Sequence, residues 1–462
     1  MKTLMKTEGR HISNQITEGV IWKQLLFFFF PILFGTFFQQ LYNTTDAVIV
    51  GKFVGKEALA AVGGPAATLI NLLIGFFTGF SSGATVIIAQ YYGAKKEEDV
   101  KKTVHTAVAL SIAGGTVIMV LGMLFSSAAL RAMNTPEEIL APSVVYMRVY
   151  FLGVIPSLIY NMGSGILRAV GDSRRPLYFL ILSCFANIIL DVLFVTVLQM
   201  GVVGVAVATA LSQVVSAMMV LVTLLRTEDS YRLSVREIRF APVLLHNIVR
   251  IGLPAGIQST MYSVSNLIIQ SSINAFGTDT IAAWTAYGKV DGIFWMIMGA
   301  YGVSITTFAG QNFGAGKYDR IRKSVRICMG MAAFTSVLLS VIVLAGGRVF
   351  FGLFTDDPSV ISIGFGMMWV ISPSYITYIC IEILGGTTRG CGDAVPPMLM
   401  TCVGICVLRV IWNLAVVPLR PEVSTVAFSY PLTWSVTSLF FIVYYRKGGW
   451  LKRCRGIGQN SI

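Results

Sequence analysis

The chain has 462 residues, 55% of them hydrophobic and only 12% charged, whereas a soluble domain carries roughly 25% charged residues. So little charge cannot cover a water-soluble fold of this size, and the bilayer is therefore its solvent. The net charge of +13 does not point to nucleic acid, because Lys and Arg sit in short connections between apolar runs rather than on one face. Seven cysteines without a CxxC spacing support neither a disulfide framework nor a zinc site. The amino terminus carries Lys2, Lys6, Arg10 and Lys23 but lacks a short apolar region with a small-residue cleavage site, so the first apolar run is expected to persist as a helix.

In chain order, apolar spans between charged or Gly/Pro-rich breaks predict twelve helices: 22–51, 57–91, 101–133, 138–168, 176–199, 202–226, 246–275, 280–313, 318–353, 357–388, 395–418 and 423–446. Each approaches or exceeds the roughly 20 residues that cross a bilayer. Alternate connections differ in charge. One set holds Lys95, Lys96, Lys101, Lys102, Arg174, Arg175, Arg232, Arg236, Arg239, Lys317, Arg320, Arg322 and Lys323; the other holds little beyond Lys52, Lys56, Arg131, Arg348 and Arg420. The rich set is expected to face the cytoplasm, with both termini on that side and the protein in the cell membrane.

Two halves repeat. Ala89 to Ala94 is echoed by Gly310 to Ala315, and Leu167 to Asp172 by Thr388 to Asp393, both 221 residues on; Pro31 pairs with Pro254 at an offset of 223. Each half starts on the same side and spans six helices, which makes the repeats parallel, about an axis along the membrane normal. The expected organisation is an all-α polytopic membrane protein with lobes at 1–226 and 246–446. A cytoplasmic linker at 227–245 joins them, and a tail occupies 447–462.

Polar side chains within the apolar helices invite functional readings because they are costly there. Helix one holds Gln39, Tyr42, Asn43 and Asp46, helix five Asn187 and Asp191, and helix six Thr209 and Gln213. At a rise of 1.5 Å per residue, Asp46 lies about 9 Å inward of Lys52, Asp191 about 12 Å inward of Gln199 and Thr209 about 10 Å inward of Val202. Their common depth, and the i,i+4 stacking of Tyr42 on Asp46 and of Asn187 on Asp191, places them in one polar pocket. Two carboxylates at close range in low dielectric cannot both stay ionised cheaply. Either a proton neutralises one, or an Na⁺ takes oxygens from Asp46, Asn187, Asp191 and Thr209. The second half offers Lys289, Asp291 and Glu382 as groups facing a substrate cleft, and Asn161 stands at the repeat position of Glu382. Arg168 with Asp172, and Arg389 with Asp393, read as turn-and-cap elements. Gly75, Gly79, Gly83, Gly299 and Gly302 read as packing positions.

The run Leu41-Tyr42-Asn43-Thr44-Thr45-Asp46, the succeeding Val50 to Gly55, the stretch Asn187 to Asp191, the Arg168 to Pro176 turn and the parallel repeat together resemble the multidrug and toxic compound extrusion (MATE) family, over nearly the whole chain. The resemblance implies an antiporter, a monomer that expels small amphiphilic or cationic compounds in exchange for H⁺ or Na⁺ and needs no other cofactor. It assigns ion coupling to Asp46, Asn187, Asp191 and Thr209, with Tyr42 beside them. Members resembling the Na⁺-driven branch carry a glutamate early in helix seven, and no acid occurs between Pro254 and Phe276 here, so the expectation leans to coupling in the first lobe.

The alternative within the broader superfamily is a flippase for a lipid-linked precursor, which would call for a strongly cationic cavity. Lys289, with Arg148 and Arg409, stands against four acids. An enzyme is not expected: His11, His105 and His246 form no HExxH or triad pattern.

Overall fold

The computed structural model describes residues 15–451 and Cys454; of the basic residues expected at the amino terminus, Lys2, Lys6 and Arg10 lie outside the described residues and Lys23 falls in the first helix, and most of the tail lies outside them as well. Those described form helices and turns without strand. Twelve spans keep the predicted order: α1 (Ile21–Val54), α2 (Lys56–Gly93), α3 (Glu97–Ala132), α4 (Glu137–Leu152 with Val154–Ala169), α5 (Arg174–Val197), α6 (Gly201–Arg226), α7 (Pro242–Asn274), α8 (Thr278–Gly314), α9 (Tyr318–Gly352), α10 (Pro358–Gly390), α11 (Val395–Ala415) and α12 (Val423–Lys447).

Ten of these are long and apolar enough to cross a membrane, and α4 qualifies as a pair bent by 49° at Gly153. Helix α7 has 33 residues, ample length, but its Gln, Ser, Thr and Asn side chains keep it outside that apolar set. The repeat is visible in the breaks: α10 is interrupted by a tight turn at Ser372–Ser374, and Ser374 lies 221 residues after Gly153.

The chain divides into two compact units, one of Phe30–Gly256 and one combining Gln15–Phe29 with the chain from Ile257 onward. The cuts fall beside Pro31 in α1 and Pro254 in α7, the repeat-paired prolines. Compactness therefore divides the chain within two helices rather than at the 227–245 linker. In the first unit, the opening half of α7 lies so close to α2 that a Cβ on Gly79 would come within 2.6 Å of the Ala255 carbonyl oxygen, and one on Gly83 within 2.6 Å of the Gly252 nitrogen. Small residues permit such contact where lipid leaves no hydrophobic drive between helices. Among the described residues, Gly299 has nothing within reach of a Cβ and Gly302 faces the Glu382 side chain, so the packing role expected of these glycines holds at Gly79 and Gly83 and not at Gly299.

The linker also packs in the first unit. His105 Nδ1 lies 2.6 Å from the Lys101 carbonyl oxygen, and its Nε2 accepts the Ser234 N–H at 2.9 Å; Lys101 pairs with Glu237 at 2.7 Å. In the second unit the turn at Gln15–Glu18 is tied down by Arg320 and Asn312, both donating to the Ile16 carbonyl, and by Lys317 donating to that of Thr17. Asp172 accepts from the backbone N–H groups of Arg174 and Arg175, the cap expected of that turn.

Candidate ion and substrate sites

In the first unit α6 packs against both α4 and α5. A hydroxyl bond from Ser183 to the Ser212 carbonyl at 2.7 Å pins α5 to α6 one turn from Asn187 and Thr209, a contact worth on the order of 1 kcal/mol in this setting. Helix α1 passes into a π-helical turn at Val50–Val54, and α5 does so at Val192–Val197, immediately after Asp191. These turns pack against each other and against α6. Each carboxylate thus stands just before a widened turn, a device that recurs at functional sites because it re-aims side chains and loosens the backbone ladder.

The result is a buried polar cluster. Asn187 and Asp191 are fully enclosed, and Asp46 and Thr209 nearly so. Thr209 donates to Asp46 Oδ2 at 3.4 Å, and Asp46 faces Asn187 and Asp191. Among the described residues, both Asp191 oxygens, both Asn187 polar atoms, Asp46 Oδ1 and the Tyr42 hydroxyl have no hydrogen-bond partner. Buried polar atoms are ordinarily satisfied, so five unengaged oxygens around two carboxylates form a set of hard ligands with spare capacity. Such a set fits a proton shared between carboxyls or an Na⁺ held by oxygens.

Asp46 also borders a cavity of about 150 Å³ shared by Gln39, Tyr42, Asn43, Asn161, Thr209 and Gln213. Asn187 and Asp191, which face Asp46, are not among the residues that line it. Sequence reading missed Asn71, Tyr146, Tyr150 and Tyr160, which also line it. The i,i+4 pair Tyr146 and Tyr150, whose rings are 6.2 Å apart, was a findable signal, since stacked phenols within an apolar helix present two hydroxyls on one face.

The second unit has a different character. Asp291 is held on three sides: Oδ1 accepts from the Tyr375 hydroxyl at 2.7 Å and the Tyr287 hydroxyl at 3.2 Å, and Oδ2 from Trp295 Nε1 at 2.7 Å. Phe294 stacks on Tyr375 with centroids 3.9 Å apart. Glu382 accepts from Tyr378 at 3.1 Å, and Tyr378 meets Trp295 edge-on at 4.8 Å, so one aromatic cluster joins the two acids. Arg409, weighed in the sequence as a cation of the cavity, is buried, lies 4.2 Å from the Tyr430 ring centre and is within electrostatic reach of Asp291. Lys289 is exposed on another face of α8, so the structure brings together Asp291 and Glu382 but not Lys289.

Twelve helical spans, an internal repeat and buried carboxylates beside a polar cavity define a polytopic membrane carrier. The MatE family model matches residues 31–193 and again 254–415, once in each half. The chain belongs to the MATE family of multidrug efflux transporters, a family of transporters rather than enzymes. It is similar to YoeA of Bacillus subtilis strain 168, named as a probable multidrug resistance protein, at 27% identity over 94% of this chain and 96% of that one. It is 23% identical to the multidrug export protein MepA of Staphylococcus saprophyticus, over 85% and 88% of the two chains. The fold is shared with a MOP superfamily transporter from Pyrococcus furiosus, with a TM-score of 0.89 at 22% identity over 96% of this chain and 99% of that one. It is shared equally with an outward-facing multidrug resistance MATE transporter, at 0.88 and 21% over the same shares. None of these relatives supports the flippase alternative.

Proposed function

We propose that this chain is an antiporter of the cell membrane that exports small amphiphilic or cationic compounds in exchange for H⁺ or Na⁺, works as a monomer and has both termini in the cytoplasm. The observation that carries the reading is the buried cluster of Asp46, Asn187, Asp191 and Thr209, with its unengaged oxygens, opening through Asp46 onto the polar cavity. An ion entering the cluster neutralises the carboxylate that borders the cavity and so changes the cavity's charge. A cationic compound and the ion then compete for one negative site, and by linkage each weakens the other's binding by the same factor. That reciprocal weakening is the thermodynamic core of exchange. The names of the drug-export relatives support the substrate class.

The test is uptake of a fluorescent cation into inverted vesicles, driven by a pH gradient alone and then by an Na⁺ gradient alone. Asp46→Asn is expected to abolish uptake under whichever gradient drives the wild type, with the protein still inserted and monodisperse. Normal rates for both Asp46→Asn and Asp191→Asn would move coupling away from this cluster.

A further inference from the structure

We propose that the second unit carries a binding site for a phosphate group, supplied by the headgroup of an anionic phospholipid, formed by Arg322, Arg326 and Arg446 around Tyr445 and Trp450. The proposal shares with the reading above only the assignment of this end of the helices to the cytoplasm. Its test does not involve transport.

The site arises from how the chain leaves α12. That helix ends at Lys447, and Gly449 takes a positive φ of 59°, a conformation glycine adopts without the steric cost of a Cβ. The chain reverses there. Trp450 turns back and is 4% exposed, packed in a small core with Phe313, Ile321 and Cys391. Its Nε1 donates to the Tyr445 carbonyl at 3.1 Å, and its ring stacks on Tyr445 at 5.2 Å. The reversal closes a cavity of about 340 Å³ against the first turns of α9. Arg322 and Arg326 are four residues apart, hence on one face of α9, and both line the cavity with Arg446 from α12.

Three guanidinium groups around one concavity repel one another unless an anion joins them. Among the described residues, neither Arg326 nor Arg446 has an acidic partner, and Arg322 has only the exposed Asp319, at 3.6 Å. The planar N–H fork of arginine matches two oxygens of a phosphate. Tyr and Trp at the same level suit the headgroup layer, where amphipathic rings collect. A basic pocket between transmembrane helices on the cytoplasmic side is a setting in which lipid phosphate binds. Val325 and Leu451 complete the lining, and these apolar walls favour the glycerol and acyl part of a lipid over a free hydrated anion.

The purified full-length protein in detergent would be titrated with dioleoylphosphatidylglycerol, dioleoylphosphatidylcholine and inorganic phosphate, with bound species counted by native mass spectrometry. Phosphatidylglycerol is expected to bind about tenfold more tightly than phosphatidylcholine. The double variant Arg326→Gln/Arg446→Gln should lose about that factor, while Arg232→Gln/Arg236→Gln in the linker keeps it. Arg326→Lys/Arg446→Lys, which retains the charge without the fork, should fall between. Its intermediate affinity, with unchanged elution and melting, separates a lost site from a lost fold. Failure of millimolar phosphate to displace the lipid identifies the headgroup as the source; displacement at equal affinity identifies free phosphate instead and overturns the lipid assignment. Equal affinity of wild type and Arg326→Gln/Arg446→Gln for phosphatidylglycerol overturns the site.

Discussion

Thr209 donates its hydroxyl to Asp46 across 3.4 Å, and among the described residues it is the only side-chain hydrogen bond linking the four members of the buried cluster. A bond of that length to a carboxylate is weak for its class. It orients Asp46 without saturating it, and leaves Oδ1 free for an incoming ion.

Replacing Thr209 by Val keeps the shape and removes the donor. A hydrogen bond to a charged group contributes about 1.5 kcal/mol at the low end of its range, so Thr209→Val is expected to weaken the apparent affinity for the coupling ion by roughly tenfold, while Thr209→Ser stays close to wild type. The check is half-maximal ion concentration for transport in vesicles. Identical values for all three proteins would leave Thr209 with no part in ion binding.

Among the described residues, Glu382 has one hydroxyl donor and Asp291 three side-chain donors, so Glu382 is the acid with more remaining capacity to meet a positive substrate. Glu382→Gln is expected to lower export of cationic compounds severalfold more than export of neutral ones, since the charge attraction counts most where water is displaced. Transport of a matched cationic and neutral pair measures it. Equal loss for both would assign Glu382 to helix packing beside Gly302.

Close approach of α2 and α7 makes a sharper claim about stability. A Cβ on Gly83 would meet the backbone of Gly252, which has no rotamer to yield, so Gly83→Ala should cost about 1–3 kcal/mol and lower the melting temperature in detergent. Gly299→Ala, with open space around the new methyl, should be neutral or gain up to about 1 kcal/mol from helix propensity. The opposite order of melting temperatures would show that the two helices do not meet as described.

The linker gives a fourth test. His105 holds Ser234 through Nε2, and the nearby Glu237 carboxyl is kept below the usual carboxylate range chiefly by its hydrogen bond from Lys101. His105→Ala should therefore speed tryptic cleavage at Arg232 and Arg236 severalfold, read as the half-life of the intact chain. The Lys101–Glu237 contribution is present at neutral pH and is lost as pH falls through the depressed range of Glu237. Removing it by Glu237→Gln at neutral pH should have a smaller effect, because exposed pairs contribute little. Cleavage at the wild-type rate in His105→Ala would show that the histidine does not retain the linker.

Features that depend only on position along the chain were legible in the sequence. Apolar length placed all twelve helices within a few residues, because a bilayer demands a set span, and the 221-residue repeat exposed the two halves. The depth of Asp46, Asn187, Asp191 and Thr209 could be computed from helical rise alone, and the structure brings these four together. Rotation about each helix axis and choice of partner were not legible, since both depend on packing among many residues at once. Packing turned Lys289 away while enclosing Asp291 between Tyr287, Tyr375 and Trp295, and it set Tyr146 and Tyr150 in the cavity wall. It likewise gave Arg320 and Lys317, which read as markers of topology, the task of holding the Gln15–Glu18 turn. Compactness, too, divides the chain beside Pro31 and Pro254 rather than at its charged linker, because helix packing, and not composition, determines which segments share a core.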